Sequence, residues 1–89
     1  MKYYHCIPEY KGQHWIIQGK SPNENNLKAI LLNTTEYKGK FVKDGAFATS
    51  SWTLVKLATS SEIVHLNACI KANKYIEPET INNKIIEIW

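Results

Sequence analysis

Arginine is absent from this 89-residue chain, and all eleven basic side chains are lysine. Recognition built on arginine's planar two-point grip of carboxylates, phosphates or guanine edges is therefore excluded. Aspartate occurs once, at Asp44, and the seven glutamates (Glu9, Glu24, Glu36, Glu62, Glu77, Glu79 and Glu87) are scattered, with no pair spaced for general acid–base work. Gly12, Gly19, Gly39 and Gly45 form no phosphate-cradling cluster. There are only two cysteines, Cys6 and Cys69, and Met1–Tyr10 is short, aromatic and mixed rather than leader-like. Free thiols in a reducing cytoplasm are the expectation. No apolar run approaches the roughly 20 residues that span a bilayer, so no membrane partner is expected. Internal repeats, low-complexity segments and cofactor motifs are missing too, and no cofactor is expected.

What is present suits one small folding unit. Hydrophobic residues make up 44% and charged residues 21%, too apolar for a disordered polyelectrolyte. A single domain is expected over residues 1–77, with 78–89 as a C-terminal tail. The net charge of +3 is unevenly spread. Residues 1–58 carry eight lysines against four acids, while residues 59–89 carry three lysines against four. The excess is densest around Lys38, Lys40 and Lys43.

Lys2–Ile7 and His14–Gln18 are rich in strand formers and are separated by Pro8–Gly12, which predicts a hairpin. Ser21-Pro22-Asn23-Glu24 has the form of a capping box, and Leu27, Ile30 and Leu31 follow at helical spacing. A helix is expected over about Pro22–Leu32, with a strand over Leu27–Leu32 as the rival. Asp44-Gly45 between Tyr37–Lys43 and Ala46–Leu57 reads as the turn of a second hairpin. Thr59-Ser60-Ser61-Glu62 is another capping box, opening a helix to about Asn73 with Ile63, Leu66 and Ile70 on its apolar face. The expected fold class is α+β, a small antiparallel sheet with two helices in the order ββαββα.

Three sets of residues are candidates for chemistry or contact. Tyr37, Lys38, Lys40, Phe41 and Lys43 interleave aromatics with lysines, as single-strand nucleic-acid binders do when they stack bases and neutralise phosphates. The plainer reading is an edge strand guarded by lysines. His65 and Cys69 lie four apart on the second helix, and His5, Cys6 and His14 would complete a tetrahedral zinc site if the first hairpin packed nearby. A buried structural thiol and a solvated histidine are the plainer alternatives, and no third residue is evident to orient a His65–Cys69 nucleophile pair. Ile85, Ile86, Ile88 and Trp89 form an apolar end that folds back, meets a partner, or meets a second copy of the chain.

The segment from Trp52 to Ile76, WTLVKLATSSEIVHLNACIKANKYI, resembles a pattern in small phage and prophage accessory proteins, and the Lys-, Ile- and Asn-rich composition is similar to that of AT-rich bacteria and their phages. The resemblance implies an inhibitor of host defence, such as an anti-CRISPR protein. On that basis the expected function is non-enzymatic: stoichiometric contact with a host protein or ribonucleoprotein, such as a CRISPR effector nuclease. Tyr37, Lys38, Lys40, Phe41, Lys43 and Trp89 are the expected contact residues, and the chain is expected to be a monomer or homodimer. The alternatives are a small nucleic-acid-binding regulator using the lysine/aromatic segment, and a zinc-binding module.

Overall fold

A computed structural model describes residues 2–9, 12–23, 25–47 and 52–78. Among the described residues five strands precede one helix: β1 (Lys2–Pro8), β2 (Trp15–Gly19), β3 (Leu27–Leu31), β4 (Lys40–Gly45), β5 (Trp52–Leu57) and α1 (Ser60–Ala72). The strands form one sheet in the order β4-β3-β2-β1-β5, and every neighbouring pair is antiparallel. This βββββα order overturns the expected ββαββα arrangement and its first helix.

The helix expected over Pro22–Leu32 fails for local and tertiary reasons. Ser21 Oγ accepts the Asn23 N–H at 3.3 Å, a turn-type bond, and Asn26 has a φ of 59°, which no right-handed helix accommodates. The capping-box partner Glu24 lies outside the described residues. Leu27, Ala29 and Ile30 are all fully or almost fully buried, although alternate residues of a strand point to opposite sides. The segment is an inner strand of a sheet covered on both faces, between β2 and β4.

The second expected hairpin is also overturned. Asp44 and Gly45 belong to β4 itself, Gly45 pairs with Leu27, and β4 and β5 occupy opposite edges of the sheet. A Cβ on Gly45 would come within 2.9 Å of Val42 Cγ1, so its small size serves a close approach beside the irregularity between Leu27 and Ala29. The first hairpin does form, with His5 opposite Ile16.

Each face of the sheet has its own apolar cluster. On one face Ile16 and Ile30 meet Leu66 and Cys69 of α1, with Tyr3, Phe41 and Tyr75 around them. On the other, Cys6, Ile17, Leu27 and Ala29 are covered by Tyr4, Trp15, Phe47 and Trp52. Phe47 is the centre of that cover, with ring centroids 5.2 Å from Trp15 and 4.7 Å from Trp52. The Trp52 indole N–H donates to the Pro22 carbonyl at 3.2 Å, tying β5 to the β2–β3 turn.

The helix lies where its capping box requires. Thr59 caps it and Glu62 completes the box, while Asn73 ends it in the left-handed conformation with a φ of 56°. Its buried residues are His65, Leu66 and Cys69, so the buried stripe is rotated from the expected Ile63/Leu66/Ile70 line, and Ile63 and Ile70 are only half-buried.

Candidate functional site

The lysine-bearing segment is held by a rigid connection from β3. Thr34 donates its N–H to the Tyr37 carbonyl at 2.8 Å, and its Oγ1 accepts the Glu36 and Tyr37 N–H groups at 3.3 and 3.0 Å. Asn33 joins this connection to the chain after α1. Its N–H donates to the Tyr75 hydroxyl at 3.0 Å, its Oδ1 accepts the Gly39 N–H at 3.2 Å, and its Nδ2 donates to Glu77 Oε2 at 3.4 Å.

Gly39 has no room for a side chain, because a Cβ would overlap the Tyr75 ring. That ring is half-buried, bonded through its hydroxyl and set edge-on to His65 at 5.3 Å, so it cannot simply swing away. Gly39→Ala is expected to lower stability by about 1–2 kcal/mol, as overpacking does. Urea unfolding checks this, and a wild-type midpoint for the variant would refute it.

On this frame Lys38, Lys40 and Lys43 are exposed, with the acids Glu36 and Asp44 beside them. Phe41 pairs with Ile30 and packs into the helix-side cluster, and Tyr37 is half-buried, its ring 3.5 Å from the Cβ position of Gly12. The two aromatics are therefore structural to different degrees, and Phe41 is turned away from the stacking platform that single-strand recognition needs. Trp89 lies outside the described residues.

The histidines and thiols fall into three separate settings. Within β1, His5 and Cys6 point to opposite faces: Cys6 enters the core away from α1, and its thiol is pushed up to about 12 by burial. His5 lies on the helix side. Its Nε2 is 2.9 Å from His14 Nδ1, a bond in which one ring donates and the other accepts. Its Nδ1 is 2.5 Å from Glu62 Oε2, an ion pair only with a protonated ring, and this buried nitrogen makes no hydrogen bond of good geometry. Glu62 Oε1 meanwhile accepts the Thr59 N–H at 2.8 Å. Burial pushes the Glu62 carboxyl up, but the Thr59 bonds and the nearby His5 outweigh this and hold it below its ordinary value.

His65 and Cys69 instead converge on Ile76. His65 Nε2 is 2.7 Å from the Ile76 carbonyl, and Cys69 Sγ accepts the Ile76 N–H at 3.3 Å. Burial raises the Cys69 thiol, the bond from Ile76 lowers it and the charge of Glu77 raises it, for a net upward shift. A thiol so placed is a poor nucleophile at neutral pH. The five residues considered for zinc are thus divided among three settings, and among the described residues no three of His, Cys, Asp or Glu are grouped to hold a metal ion.

No protein-family model, curated protein or solved structure matches the chain. The resemblance of residues 52–76 to phage proteins gains nothing from these comparisons. Among the described residues no helix is long and apolar enough to cross a membrane. An open hollow of about 260 Å³ lies along Gln18–Lys20 and Asn25–Lys28, away from both histidine groups.

Sequence reasoning missed the His5–His14–Glu62 chain. Glu62 is assigned there to its capping box alone, and nothing in local spacing brings a residue of the helix's first turn to β1.

Proposed function

We propose that this chain is a binding protein that acts by occupying a partner's surface, presenting Lys38, Lys40 and Lys43 from the β4 edge and the connection before it. The observation that carries this reading is the exposure of all three lysines on a backbone pinned through Asn33, Thr34 and Gly39. Charges held by a rigid frame lose little freedom on binding and steer an acidic partner toward one orientation. The resemblance of residues 52–76 to phage accessory proteins is the sole ground for placing the partner in a host-defence complex such as a CRISPR effector.

Binding of purified CRISPR effector ribonucleoprotein by wild type and by the triple variant K38E/K40E/K43E, at two salt concentrations, tests the reading. The expected result is a loss of at least about tenfold in affinity, with the helix and sheet unchanged by circular dichroism. Equal affinity of the two proteins would remove this surface from the proposal. Binding by neither would remove the partner class.

A further inference from the structure

The two edges of the sheet are unlike. β4 carries exposed Lys40, Lys43 and Asp44 and is irregular where it meets β3, features that discourage another strand from pairing. β5 has one charge, Lys56, and three large exposed apolar side chains: Leu54 at 47%, Val55 at 43% and Leu57 at 72%.

The orientation of its free backbone groups follows from its pairing with β1. The Ala58 N–H donates to the Tyr3 carbonyl at 3.1 Å, and the register places His5 opposite Lys56 and Tyr4 opposite Leu57. In an antiparallel ladder, residues bonded to the partner strand alternate with residues whose N–H and C=O point outward. Leu54, Lys56 and Ala58 therefore bond toward β1, while Val55 and Leu57 present their backbone groups to the open edge.

We infer that β5 is the self-association edge of this protein, pairing antiparallel with β5 of a second copy about a two-fold axis through Val55. Such pairing joins two five-stranded sheets into one. Lys56 selects the register. An axis through Lys56 would set two like charges face to face, which is unfavourable. An axis through Val55 instead places Val55 against Val55, Leu54 against Lys56 and Thr53 against Leu57. This register is self-complementary, as a two-fold interface requires, and it covers both exposed leucines and the valine. The surface is distinct from the lysines of the β4 edge, so partner binding and self-association fail independently.

The test combines sedimentation of the full chain across about 1–500 µM with amide hydrogen exchange at the two ends of that range. A reversible dimer is expected, with the Val55 and Leu57 amides exchanging more slowly as concentration rises. Val55→Pro removes an outward N–H that the monomer does not use, a change an edge strand tolerates. Val55→Lys places two charges on the axis and serves if the proline variant fails to fold. Each is expected to raise the dimer dissociation constant at least about tenfold. A monomer at every concentration, or a dimer unaffected by either folded variant, overturns the proposal. Equal protection of these amides at low and high concentration also overturns it, because the edge would then be covered within one chain.

Discussion

Leu66→Ala is expected to destabilise the fold by about 3 kcal/mol, within the range for a fully buried leucine. Leu66 is completely buried, and with Cys69 it meets Ile16 of β2 and Ile30 of β3. Truncation removes apolar area from water and leaves a cavity where rigid sheet and helix cannot close together. Small domains have on the order of 5–15 kcal/mol of total stability, so the loss is a large fraction of the whole. The urea midpoint should fall sharply with an unchanged slope. Val64→Ala, on the exposed side of the same helix, is the control and should shift stability by no more than about 0.5 kcal/mol. Equal effects of the two substitutions would show that α1 does not dock through Leu66.

The second large effect belongs to Glu62. Glu62→Ala removes half of a capping box and takes the carboxylate away from buried His5, and at neutral pH a loss of about 2 kcal/mol is expected. The pH dependence has a definite sign. The folded carboxyl is held below its ordinary value of 4.5, so its contribution is present above that value and lost as pH falls through the folded one. The stability gap between wild type and Glu62→Ala should therefore hold from neutral down to about pH 5 and shrink below it. Glu62→Gln keeps an acceptor for the Thr59 N–H but not the charge, so it should lie between the two. Denaturant titrations at several pH values check this, and a gap as wide at about pH 3 as at neutral pH would contradict it.

The parts of the fold legible in the sequence were those set by neighbours in the chain. The strand formers of Lys2–Ile7 and His14–Gln18 pair across their turn, and Thr59 with Glu62 fixes the start of α1. The illegible parts depend on distant partners. Leu27, Ile30 and Leu31 satisfy helical spacing and an inner strand equally well, and placement between β2 and β4 decides for the strand. Asp44-Gly45 has turn chemistry, yet the sheet uses it as the end of β4 opposite Leu27. Gly39 carries no local sign that Tyr75 will lie against it. For the candidate surface, the exposure of the three lysines agrees with their clustering, whereas the inward turn of Phe41 required knowing that Ile30 lies across from it.

The position of the first strand has a kinetic consequence. β1 sits between β2 and β5, and Tyr4 meets Leu57 only after a loop of about fifty residues has closed. A nascent chain leaving the ribosome can form the β1–β2–β3 meander early, but one flank of β1 stays unsatisfied until Leu57 has emerged. Such long-range closure places folding toward the slower, millisecond-to-second end of small-domain behaviour.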